Sequence, residues 1–153
     1  MKIPIFVIVA FSIAITLSGN LAVDGSGPIT WKDCSNNVSV MKIKNITFDP
    51  PGDVYPGQGF SLKATFKLKK EITEGKVNVD VQYGVLHYAT GVYDLCDKFK
   101  EAGLTCPVSK GLKNGVFQGR VPFPNGYFKF TINATTSAGD KISCFTFELN
   151  DNI

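Results

Sequence analysis

The sequence predicts an all-β fold, a sandwich of two antiparallel sheets, and three observations carry that prediction. Apolar residues recur at every second position in several separate runs. Proline and glycine clusters punctuate the chain between those runs. Only one short stretch carries a helical pattern.

The clearest run is Phe60, Leu62, Ala64, Phe66 and Leu68, alternating with Ser61, Lys63, Thr65, Lys67 and Lys69. A strand with this pattern buries one face and leaves the other in water. Val77, Val79, Val81, Tyr83 and Val85 alternate with Asn78, Asp80 and Gln82 in a second strand, and the segment ending at Gly75 reads as the loop between them. Phe128, Phe130, Ile132 and Ala134 mark a third strand, and Phe145, Phe147 and Leu149 a fourth. Residues 137–140, Ser-Ala-Gly-Asp, read as the turn joining these two. Less regular strands are expected at Val38 to Phe48 and Val116 to Val121. Pro50-Pro51-Gly52 and Tyr55-Pro56-Gly57 place turns in the first loop, where missing N–H groups and glycine's freedom both favour them. One helical turn is expected from Asp94 to Gly103, with Asp94 as cap, Leu95, Phe99 and Ala102 on one face and Gly103 as terminator. About seven short strands in one domain indicate an immunoglobulin-like sandwich.

Residues 1–22 read as a secretory signal peptide. Lys2 precedes an apolar run, Ile5 to Leu17, broken only by Ser12 and Thr16, and small residues follow at Ser18, Gly19 and Ala22. The alternative is an uncleaved anchor, but the run is short for a span of about 20 residues. Residues 23–153 then form a single domain, long enough for one core. No second apolar run of that length follows, so the mature chain is expected to be soluble. The formal charge of +3 includes Lys2, and so weak a balance gives no argument for nucleic acid, which is not expected as a partner. Asn37-Val-Ser, Asn45-Ile-Thr and Asn133-Ala-Thr are glycosylation sequons, consistent with export.

Catalytic groups are scarce. The one histidine, His87, sits beside Tyr88 and reads as a half-exposed strand residue, and neither G-x-S-x-G nor H-E-x-x-H occurs. No catalytic residue, metal ligand set or cofactor is assigned, and the chain is expected not to be an enzyme. The four cysteines allow three pairings. The favoured one is Cys34–Cys144, fastening the first and last strands, with Cys96–Cys106 closing a loop around the helical turn. Ten of the 12 phenylalanines lie beyond the leader, many on presumed inward faces. They suit either a close-packed core or the lining of a cavity, and composition does not separate the two.

Several short motifs in order carry a resemblance. They are Trp31-Lys-Asp-Cys34, Asp49-Pro50 followed by Tyr55-Pro-Gly57, Tyr93-Asp-Leu-Cys96, Cys106-Pro-Val, Pro122-Phe-Pro-Asn-Gly-Tyr127 and Cys144 in a late strand. Together they resemble the ML-domain lipid-recognition family, looking closest to its phosphatidylglycerol/phosphatidylinositol transfer proteins and related to the Niemann-Pick type C cholesterol-binding protein. The resemblance implies a sandwich that holds a lipid between its sheets, with the same two disulfides. It also departs from the cholesterol-binding members, whose third disulfide has no counterpart between Ile46 and Gln58. That tilts the expected ligand toward phospholipid.

A soluble carrier must replace the bilayer with an apolar lining, since each exposed CH₂ costs about 0.8 kcal/mol. The expected lining is Phe60, Leu62, Phe66, Val79, Val81, Tyr83, Phe128, Phe130, Ile132, Phe145 and Phe147. Loops at Tyr88 to Tyr93 and Val121 to Tyr127 are expected to form the mouth. Lys98, Lys100, Lys110, Lys113 and Arg120 are placed there to meet a phosphate or an anionic membrane, against the plainer reading of solvated lysines. The expected protein is a monomer, secreted or in the endolysosomal lumen, that carries a phospholipid or sterol between membranes. The competing expectation is an extracellular protein-interaction module with a dry core.

Overall fold

The alternating runs become strands because each buries one row of side chains against an opposing layer. In the computed structural model, residues 29–150 are described, apart from 52–53, 123 and 125; the expected signal peptide lies outside them. In chain order the elements are β1 (Ile29–Asp33), β2 (Met41–Asp49), β3 (Gly59–Leu68), β4 (Lys76–Tyr83), β5 (Leu86–Asp94), α1 (Leu95–Glu101), β6 (Gly111–Arg120), β7 (Tyr127–Thr135) and β8 (Lys141–Asn150). One sheet has five strands in the order β1-β8-β7-β4-β5, and the other has three, β2-β3-β6. All these pairings are antiparallel. The fold is the expected two-sheet sandwich.

Two strands were not legible in advance, and both are edges. β1 is short and held by its pairing with β8, Trp31 opposite Phe147. β5 occupies Leu86–Asp94, where a loop was expected at Tyr88 to Tyr93, and nearly all of it is exposed. With so little of it buried, β5 has no apolar alternation to reveal it. The second predicted strand also ends early. Gly84, at φ 57°, and Val85 form a two-residue turn into β5, so Val85 is 99% exposed and not part of the inner row. β6 begins five residues before the predicted strand, its first half hidden by Gly111 and Gly115.

The helix forms as its caps dictate. The Asp94 Oδ1 accepts from the Asp97 N–H at 3.0 Å, and Leu95, Phe99 and Ala102 are buried on one side. Gly103 stops it in the left-handed region at φ 86°. Cys96–Cys106 ties the helix to the segment after it, and Cys34–Cys144 ties the end of β1 to β8. In the chain-entropy view each closure contributes on the order of 3–5 kcal/mol, the 110-residue separation more than the 10-residue one.

Beside Cys34, partial burial pushes the Asp33 carboxyl up. Hydrogen bonds from the Ser35 hydroxyl, the Lys42 ammonium and the Ser35 backbone N–H outweigh that and hold it below the usual carboxylate range. A carboxyl lowered on folding adds stability above its unfolded value of about 3.9, and the gain is lost as pH falls through the folded value. Asp33→Asn is therefore expected to cost about 1–2 kcal/mol at pH 7. Urea denaturation should show the gap from wild type narrowing as the pH drops below about 4; a constant gap contradicts the account.

Gly75, the residue just before β4, sits where nothing larger fits. A Cβ there would lie 2.9 Å from Ile142 Cδ1, Leu95 Cδ2 and the Thr135 carbonyl oxygen. Gly75→Ala is expected to destabilise the fold by about 1–3 kcal/mol through overpacking, read as a lower urea midpoint with an unchanged slope.

Candidate functional site: a cavity between the sheets

The two inner faces leave a cavity of about 340 Å³. Its lining follows strand parity. Val77 and Val79 of β4, Phe130, Ile132 and Ala134 of β7, and Ser143, Phe145 and Phe147 of β8 form the wall on the five-stranded sheet. Phe60, Leu62, Ala64 and Phe66 of β3 face them. On β2 the contributors are Met41, Ile43 and Ile46, a step of three at the end because a bulge between Ile43 and Asn45 resets the register. Leu95 and Phe99 of α1 contribute from the helix, with Phe99 stacked on Phe66 at 6.1 Å between ring centroids.

Eight of the expected lining residues reach the cavity: Phe60, Leu62, Phe66, Val79, Phe130, Ile132, Phe145 and Phe147. Three do not. Val81, Tyr83 and Phe128 share the inward parity, but they lie at the end of the wall where aromatic rings already fill the space. Phe128 is fully buried, with the Tyr83 ring at 5.0 Å and the Tyr88 ring at 5.3 Å. Val81 and Phe128 are core, and the partly buried Tyr83 packs over them. Residues missed by sequence reasoning include the β2 row, whose alternation the bulge breaks, and Phe99, which had been placed on the helix face without its contact to the cavity.

The aromatic wall is organised around Phe147. Its ring stacks on Phe130 at 4.3 Å and 8°, with Phe48 at 5.8 Å and Phe60 at 6.4 Å. Opposite, β6 offers little bulk on its inward row. Gly119 has no room for a side chain, since a Cβ would stand 2.5 Å from the Phe60 ring. Phe117 is the large β6 residue in the lining.

Polar residues border the cavity mainly along one side. β5 and β6 are the edge strands there, and α1 contacts both. Tyr93, Lys98, Gln118 and Arg120 come from these elements. Lys98 pairs with Glu101 at 2.9 Å and stands over the Tyr93 ring at 4.7 Å. Arg120 donates to the Gly57 carbonyl at 3.1 Å, and Gln118 accepts from Ser61 at 2.9 Å. Of the five cations expected at the mouth, only Lys98 and Arg120 border the cavity; Lys100, Lys110 and Lys113 do not. His87 lies away from it, its Nδ1 3.1 Å from Asp80 Oδ1.

A family model described as the ML domain matches residues 28–150. The chain belongs to the ML-domain family. Among curated relatives, the phosphatidylglycerol/phosphatidylinositol transfer protein of Aspergillus fumigatus is 31% identical over 126 residues, 80% of this chain and 70% of that protein. The protein of the same name from Pyricularia oryzae is 26% identical over 140 residues, 90% of this chain and 78% of its own. Among solved structures, chicken MD-1 complexed with lipid IVa superposes with a TM-score of 0.56 at 17% identity, covering 82% of this chain and 90% of MD-1. A Niemann-Pick type C2 protein from Japanese carpenter ant gives 0.57 at 18%, covering 78% of this chain and 96% of its own. At these identities the two structures speak for the ML fold.

The half-buried ring of Phe130 tests whether this space is open. A phenylalanine in a dry core costs about 3–5 kcal/mol when cut to alanine. Phe130→Ala is expected to cost less than that by urea denaturation, because one face of the ring borders empty volume. A loss at the upper end of the dry-core range contradicts an open cavity.

Proposed function

We propose that this ML-domain chain binds a lipid between its sheets and transfers it between membranes, acting as a monomer in an exported or endolysosomal compartment. The observation that carries the reading is the cavity itself. Its volume falls within the range of about 300–1,000 Å³ usual for ligand pockets, and phenylalanine, leucine, isoleucine and valine make up most of its wall. Such a wall offers an acyl chain what the bilayer offers, about 0.8 kcal/mol for each CH₂ kept from water.

The names of the curated relatives favour phosphatidylglycerol or phosphatidylinositol as cargo. Lys98 and Arg120, at the cavity border, suit a phosphate beside the acyl chains. Val92, 65% exposed on the edge strand β5 beside the cavity-lining Tyr93, is an apolar group suited to brief contact with a bilayer. Two disulfides fit an oxidising compartment. Asn37 and Asn45 are exposed and Asn133 half-exposed on β7, so all three sequons are open to a glycan in the folded chain.

The reading is tested by mixing donor vesicles carrying fluorescent phosphatidylglycerol or phosphatidylinositol with unlabelled acceptors. Transfer is expected to accelerate in proportion to added protein. No acceleration for either lipid, together with no lipid in an organic extract of the protein, returns the chain to the interaction-module alternative.

A further inference from the structure

One hydroxyl lies inside the cavity with nothing to bind. Ser143 is on the inner face of β8, opposite Ala134 of β7, and is 6% exposed. It lines the cavity among Ala134, Phe145 and Met41. Its hydroxyl makes no hydrogen bond among the described residues. The other buried polar residue, Ser39, is satisfied by Asn36. Buried hydroxyls in native proteins nearly always have a partner, so a free one facing a cavity points to a partner that arrives from outside the chain.

Its depth limits what that partner is. Across the sheet the register runs Tyr93, Val77, Ala134, Ser143. Three strand spacings, about 14 Å, therefore separate Ser143 from Tyr93 at the polar border. The remaining polar side chains in the lining, Tyr93, Lys98, Gln118 and Arg120, come from the elements of the polar border and do not compete for the role. A head group held at the border leaves Ser143 facing the apolar body of the cargo.

We propose that Ser143 is a specificity residue that hydrogen-bonds a hydroxyl carried on the otherwise apolar, buried part of the cargo. A serine hydroxyl both donates and accepts, so it matches an alcohol in either sense. Two sources supply this chemistry: a sterol that enters hydroxyl first, and a phospholipid with a hydroxylated acyl chain. The inference rests on the lipid-binding reading above.

The test uses two matched pairs and the whole purified protein. Cholesterol is compared with its analogue lacking the 3-hydroxyl, and phosphatidylglycerol bearing a 12-hydroxystearoyl chain with its stearoyl counterpart. Binding is measured by competition against a fluorescent lipid. The wild type is expected to prefer the hydroxylated member of one pair by about tenfold, and that pair identifies the source. Ser143→Ala should erase the preference, so that both members of the pair bind equally, and its melting temperature should not fall. Ser143→Cys, with a weak donor of similar size, should retain only a fraction of the preference. Equal affinity within both pairs overturns the proposal and means that Ser143 holds only water. A preference that survives in Ser143→Ala overturns it as well. If none of the four lipids binds, the lipid-binding reading fails and this inference falls with it.

Discussion

Three strands have to shield the inner face of a sheet five strands wide, and that mismatch governs the rest of the structure. At about 4.8 Å per strand the wider sheet overhangs its partner by roughly 10 Å. Part of the overhang on the β5 side is met by α1, which sets Leu95 and Phe99 against the cavity and touches the edges of both sheets. What the helix leaves uncovered remains as space walled by apolar rows. A close-packed interior would have no such volume, because protein cores fill to crystalline density.

The ends of the sandwich are treated differently, and this difference gives the cavity its position. Near the β4–β5 turn, the Tyr83 and Tyr88 rings pack on Phe128 and bury it completely without any ligand. Toward α1 the wall thins to Val77, Ala134 and Ser143 opposite Met41 and Phe66. Between them the stacked pair Phe130 and Phe147 forms the boundary, touching packed core on one side and open volume on the other. The disulfides hold this arrangement from outside it. Cys34–Cys144 secures the closed edge, where β1 meets β8, and Cys96–Cys106 fixes the helix that borders the open one.

How much was legible in the sequence follows from how each residue is surrounded. β3 and β7 each have strands on both sides, and their alternation announced both the strands and the lining residues Phe60, Leu62, Phe66, Phe130 and Ile132. The helix was equally plain, from Asp94 and Gly103, and the structure holds the favoured one of the three cysteine pairings. The edge strands β1 and β5 were not legible. β5 has little buried surface, so no pattern betrays it, while the bulge after Ile43 disguised the β2 row that supplies Ile46. Parity also had a limit of its own. It assigns Val81, Tyr83 and Phe128 to the inner face but carries no information about where along that face packing gives way to space. Ser143 was invisible for a related reason, since a serine in a strand usually marks the solvent side.

Native mass spectrometry of the chain purified from a eukaryotic secretory host measures the central claim most directly. The account predicts a mass exceeding that of the polypeptide and any glycans by one lipid per chain, released on collisional activation, with both disulfides formed. A population that carries no lipid, and takes none up after incubation with phosphatidylglycerol or phosphatidylinositol vesicles, would contradict it.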